Sequence, residues 1–192
     1  MPGDTGGPHV RLGLAWAVLV LAAAVAGPVV LAVPMLGAAA IGMVEVARRA
    51  PSRMVAIVVD LGLVVAAVGP VIVRTRPDGA VIATVLLVAV CLYDAAVFVV
   101  GTGATNRWEG PAAGIVTLVP LTVLIAALLV PPFRGSSPWL LGGLTAVLAP
   151  WGAPLATRLL GGGDRLGAVR RLDTLLLVGP AWALAAAVMH LH

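Results

Sequence analysis

The sequence predicts an all-α polytopic membrane protein, a helical bundle of about seven transmembrane helices, and three observations predict it. Of the 192 residues, 61% are hydrophobic and only 10% are charged. Mean hydropathy is +1.11, and a soluble domain of this size needs far more polar material to cover its surface. Apolar runs about one membrane thickness long recur along the chain, separated by short segments rich in Gly, Pro and Arg. Aromatic residues are scarce at 4%, so packing must rely on Ala, Val, Leu and Gly, small residues through which helices approach closely.

Residues 1–10 are polar and Gly/Pro-rich and read as a disordered cytoplasmic tail. They do not read as a signal peptide, because the apolar run continues past Pro28 without a small-residue cleavage site. Residues 11–192 then form a single transmembrane domain. The run from Leu12 to Ala47 is about twice the ~20 residues that one span requires. Gly27-Pro28 is its natural break, since Pro lacks an amide proton and biases the preceding residue away from helix. Spans over 11–26 and 29–47 follow, with one long kinked span as the alternative. Met54 to Val73 is the third span and carries Asp60. A charged turn from Arg74 to Gly79 leads to the fourth, Ala80 to Val100, which carries Asp94. Pro111 to Val130 is the fifth, with Pro120 predicting a kink. Trp139 to about Arg158 is the sixth, interrupted by Pro150 and Pro154. A Gly/Arg-rich loop from Gly161 to Arg171 precedes the seventh, Leu172 to His190.

All twelve basic residues are Arg, and the net charge is +4. With seven spans, nine of the arginines fall on the side of the N-terminus and three on the other. The positive-inside rule therefore puts the N-terminus in the cytoplasm and the C-terminus outside, in an inner membrane. The charge faces anionic lipid rather than nucleic acid, because no basic stripe with interleaved aromatics occurs. Cys91 lies in an apolar run and reads as a small core residue; one cysteine excludes an internal disulfide.

The acidic residues carry the functional signal. A carboxylate within a membrane span is costly and counts as a functional hypothesis by default. Asp94 lies seven residues before Gly101, and Asp60 lies seven residues after Arg53. At 1.5 Å per helical residue both sit about 10 Å from the cytoplasmic end. Glu45, Glu109, Asp164 and Asp173 fall in or beside loops of that same side. Acids gathered at one depth predict a wet cytoplasmic pocket that binds a divalent metal, whose hard oxygen ligands often include substrate phosphates. The competing reading, preferred for Glu45 and Asp164, is that these acids cap helices or anchor loops. The Gly161-Gly162-Gly163 run reads as a turn rather than a phosphate cradle, and His190 and His192 as solvated ends.

Asp94 to Gly101 resembles the D-x-G-A-Y-x-x-G segment of the phosphatidate cytidylyltransferase (CDP-diacylglycerol synthase) family, with Phe98 in place of the Tyr. Asn106 to Gly110, N-R-W-E-G, resembles the family's K-T-W-E-G, and Gly114 falls on a further family glycine. Arg171-Leu172-Asp173-Thr174-Leu175 resembles R-I-D-S-L, and Pro180 follows at the family's spacing. The resemblance implies transfer from CTP to phosphatidic acid with Mg²⁺, giving CDP-diacylglycerol and pyrophosphate. It implies catalytic roles for Asp94, Glu109 and Asp173, nucleotide or phosphate binding by Arg107 and Arg171, and metal binding by Asp94 and Asp173. Asp60 is added as a compensating ligand from its depth alone. CTP, phosphatidic acid and membrane lipid are the partners so implied, and a homodimer is left open.

The chain also departs from the family pattern. The aspartate of the family's G-D-L is Ala153, the glutamate after it is Ala156, and the first aspartate of D-R-I-D falls on Arg170. These positions support the alternative of a catalytically inactive relative that binds a lipid or a protein. A small transporter built on discontinuous helices is the third reading, weakened by the near absence of polar side chains in the extracytoplasmic halves.

Overall fold

The structure, a computed structural model, describes residues 6–159 and 167–189, with side chains from residue 11 onward. Asp164, Arg165, the glycines 161–163, His190 and His192 lie outside the described residues. The chain is an all-α bundle: α1 (Gly6–Ala26), α2 (Pro28–Ala47), α3 (Arg53–Arg74), α4 (Gly79–Gly101), α5 (Glu109–Leu128), α6 (Ser137–Leu159), α7 (Val169–Leu172) and α8 (Leu175–Val188). Short α7 and α8 form one interrupted rod, so seven rods match the seven expected spans.

Six of the rods are long and apolar enough to cross a membrane. The apolar part of α1, Arg11–Ala26, is shorter; at 1.5 Å per residue it covers about 24 Å of a ~30 Å hydrocarbon layer. Helices suit this environment because each satisfies its own backbone polar groups without water. The bundle's outside is as greasy as its inside, with Val29 77%, Leu128 72% and Val33 70% exposed. Such faces belong against lipid tails rather than water.

Gly27 splits the first run into two helices, which removes the single kinked span. Its φ of +150° is open to glycine alone, and Pro28 begins α2 where a missing amide proton costs nothing. The reversal is tight, since contacts tie both free ends of this hairpin to the same place. Gly13, near the start of α1, faces Arg171. Glu45, near the end of α2, accepts the Ala168 N–H at 3.2 Å. At the other end, Arg74 Nε of α3 donates to the Ala24 carbonyl at 2.6 Å, satisfying a carbonyl left open where α1 stops. Ser52 caps α3 by accepting the Val55 N–H at 3.3 Å.

Two sequence expectations need correction. α1 begins at Gly6, inside the segment expected to be a disordered tail; Pro8 is tolerated there because a first helical turn has no partner for its amide anyway. α6 runs unbroken through Pro150 and Pro154. Each proline gives up one bond, to Ala146 and Pro150, without stopping the helix, as membrane helices allow.

Packing follows the small residues. A Cβ on Gly69 of α3 would lie 2.7 Å from the backbone carbon of Gly179 in α8, so these helices touch backbone to backbone. Gly114 of α5 receives the Tyr93 ring of α4, and Gly42 of α2 receives Leu63 of α3. In the half of the bundle away from Asp94, buried Trp182 donates from Nε1 to Thr145 Oγ1 at 2.8 Å, and Thr145 donates to the Leu141 carbonyl at 2.8 Å. The indole and hydroxyl are thereby satisfied without water.

Gly69→Leu should therefore lower the stability of the detergent-solubilised protein by at least the ~1–3 kcal/mol typical of overpacking. Gly37→Ala, at a helical position with nothing within 4 Å, should leave it equal or slightly raised. Tryptophan fluorescence across an SDS titration reads both.

Candidate functional site

Two acids from distant parts of the chain meet at one hydroxyl. Thr174 Oγ1 donates to Asp94 Oδ1 at 2.6 Å across a separation of 80 residues. The same Oγ1 lies 3.4 Å from Asp173 Oδ1, which also accepts the Thr174 N–H at 2.7 Å. Thr174 is 4% exposed and Asp173 8%, whereas Asp94 is half-buried. The hydroxyl has a single proton, and the shorter distance assigns it to Asp94. Arg170 and Arg171 stand close enough to act electrostatically on both acids.

The local chain explains why the site forms at this point. Asp173 and Thr174 keep helical dihedrals between α7 and α8, yet they interrupt the rod. A side-chain oxygen that bonds the next backbone N–H competes with the helix ladder. On the other side of this turn, a Cβ on Gly152 would overlap the Asp173 carbonyl. Only glycine lets α6 lie so near, and that contact fixes the turn's depth. Glu45 holds the start of α7 through Ala168, so this acid caps and anchors as preferred from sequence.

The remaining sequence candidates are placed differently. Glu109 is exposed at the start of α5, where its Oε1 accepts Thr105 Oγ1–H at 3.0 Å and the Asn106 N–H at 2.9 Å. It closes the loop that precedes it. Arg107 is exposed and stacks over Trp108, 5.6 Å from the ring centroid. Both lie at the same end of the bundle as Asp94, since the 102–108 loop follows directly from α4. Asp60 in α3 is half-buried, and its Oδ1 is a buried atom with no hydrogen-bond partner. Among the described residues no three His, Cys, Asp or Glu side chains gather into a group that could hold a metal ion. Neither Asp60 nor Glu109 is therefore a third ligand beside Asp94 and Asp173. The pair alone still suits Mg²⁺, which commonly takes one or two carboxylates and completes its shell with water and substrate phosphates.

Thr174 was missed by sequence reasoning. Its one signal was adjacency to Asp173 within R-L-D-T-L; nothing along the chain connects it to a residue 80 positions earlier. Gly13 and Gly152 were missed for the same reason. No family model, curated protein or solved structure matches the chain.

Replacing Thr174 by Val keeps the shape and removes the hydroxyl, leaving the Asp94 carboxylate short of a partner. The expected cost is about 1–3 kcal/mol, seen as an earlier unfolding midpoint, with Thr174→Ser near wild type. In an Asp94→Ala background the same Val substitution should cost clearly less, which a double-mutant cycle measures.

Proposed function

We propose that the chain is a membrane cytidylyltransferase that joins CTP to a lipid phosphate, phosphatidic acid in the simplest case. The observation that carries the reading is the meeting of Asp94 and Asp173 at Thr174, beside Arg170 and Arg171. Carboxylates and guanidinium groups at the end of a greasy bundle suit a reaction between two anions. An oxygen of the lipid phosphate attacks the α-phosphorus of CTP. The bond from that phosphorus to the β-phosphate oxygen breaks, and pyrophosphate leaves with the electron pair. Little covalent chemistry falls to the protein, so its task is positioning and charge neutralisation.

In this reading Asp94 and Asp173 would hold Mg²⁺, which supplies charge neutralisation at the triphosphate when bound. Thr174 keeps the two carboxylates in register. Arg171 and Arg170 offset the charge of the phosphates, and the exposed 102–109 loop borders the nucleotide. The arginine bias supports a cytoplasmic position for this end, where CTP is found.

A second reading has its own support. Ala153, Ala156 and Arg170 stand where the resembling family carries acids, and the described acids stop at a pair. That arrangement suits a relative that binds a lipid phosphate without transferring a nucleotide.

Purified protein incubated with radiolabelled CTP, phosphatidate and Mg²⁺ should form labelled lipid. Asp94→Asn should lower the rate by about 10²-fold or more, the scale for losing a group that stabilises developing charge. Label no higher in wild type than in Asp94→Asn retires the transferase reading in favour of the binding one.

A further inference from the structure

The outward face of α6 carries three features that the chain itself leaves without a use. Trp151 is 50% exposed, and among the described residues its indole N–H has no hydrogen-bond partner. Exposed Pro154, three residues on, has no amide proton to give the Pro150 carbonyl one turn earlier. Gly143 is exposed inside the helix, and a Cβ there would meet nothing within 4 Å. Its neighbour Gly142 is accounted for by close contact with Thr122 of α5, but Gly143 has no such contact. Glycine within a helix is unfavourable by about 1 kcal/mol against alanine, so the position calls for a reason.

The three features share one face. Steps of four residues join Gly143, Val147 and Trp151, and at 3.6 residues per turn Pro150 and Pro154 flank the line from Gly143 to Val147. Val147 is 65% exposed and Leu155 40% on the same side. Trp151 lies eight residues before Leu159, about 12 Å from that end of the helix. That depth is below the headgroup belt in which exposed tryptophans gather. In hydrocarbon, a free N–H and a free carbonyl each carry an uncompensated desolvation cost. Lipid tails offer neither donor nor acceptor. An ester carbonyl of a lipid could accept the indole N–H, but it has no proton for the Pro150 carbonyl. A second α6 offers both at once. A donor and an acceptor on one patch are what a two-fold interface requires, since each copy then completes the other. Gly143 allows the two backbones to approach.

We propose that two copies of this chain pair through the outward faces of their α6 helices, with Trp151 of each donating to the Pro150 carbonyl of the other. The pairing does not depend on the transferase reading. It braces α6 from behind, at the level where Gly152 presses on the Asp173 carbonyl.

The test uses the full chain, singly labelled with a fluorophore and reconstituted in phosphatidylcholine liposomes over a range of protein-to-lipid ratios. Photobleaching should show one step at low ratio and two as the ratio rises. Trp151→Phe keeps a ring and removes the N–H. Pro154→Ala gives the Pro150 carbonyl a donor within its own helix. Each should raise the half-pairing ratio about tenfold, because symmetry breaks two interhelical bonds at once. Pro154→Ala makes α6 a better helix, so a merely structural role for the proline predicts pairing that is unchanged or stronger. Gly143→Leu should abolish pairing, with nothing inside the chain for the new side chain to disturb. In a Cys91→Ser background, Val147→Cys should cross-link between copies under copper phenanthroline. Val29→Cys, 77% exposed on α2, should not. Helicity and elution volume in detergent identify any variant that fails to fold, in which case the cross-link decides. A single bleaching step at every ratio overturns the proposal. Two steps unaltered by the three substitutions overturn it as well, and so does cross-linking at Val29 without cross-linking at Val147, which moves the pairing to another face.

Discussion

The contact between Gly152 and the Asp173 carbonyl governs how the rest of this bundle is arranged. A backbone pressed against another backbone tolerates no side chain, so α6 and the α7–α8 turn share one fixed separation. That separation sets the depth of Asp173 and Thr174. Their depth in turn decides which residue of α4 can reach the hydroxyl, and the answer is Asp94. Nothing in the hydrophobic effect chooses this arrangement, because lipid tails solvate Leu and Val as well as another helix does. Close approach and interhelical hydrogen bonds are what remain to hold membrane helices together. The bundle uses the first at Gly69 and Gly179 and at Gly114, and the second at Thr174 and at Trp182 with Thr145.

The two ends of the molecule differ in chemistry as a result. Away from Asp94, Arg74 takes up the α1 carbonyl and Trp182 bonds Thr145, and the buried Arg76 Nε alone lacks a partner among the described residues. At the opposite end, the polar groups exceed what the fold needs. Two carboxylates share one hydroxyl, a guanidinium rests against a glycine, and a third acid, Asp60, keeps a buried oxygen without a partner. A fold selected for stability alone has little use for such groups inside a membrane, where ionisable side chains are expensive. Their gathering at one end is the physical basis for placing function there.

The helices could be read from the chain because their cause is local. Any run of about twenty apolar residues must satisfy its own backbone in hydrocarbon, and Gly27-Pro28 announces a break by its own conformational needs. The prolines of α6 misled that reading. A proline weakens one hydrogen bond, and whether the helix then stops depends on what its neighbours offer. Proline at position 8 misled in the opposite sense, since a first helical turn accommodates it.

For the site, sequence determined which residues were costly and at what depth they lay: Asp94 and Asp60 stood out by charge in an apolar setting, and Asp173 by its R-L-D-T-L segment beside a loop of the same side. Their company was settled only in three dimensions. Asp173 joined Asp94 through Thr174, Asp60 and Glu109 did not join them as metal ligands, and Arg171 turned toward Gly13. The reason is that depth along a helix follows from counting residues at a fixed rise, whereas the face a residue presents to a given neighbour depends on helix rotation and spacing. In this chain glycines set that spacing, and a glycine's effect lies in the contact it permits with a partner far away in sequence.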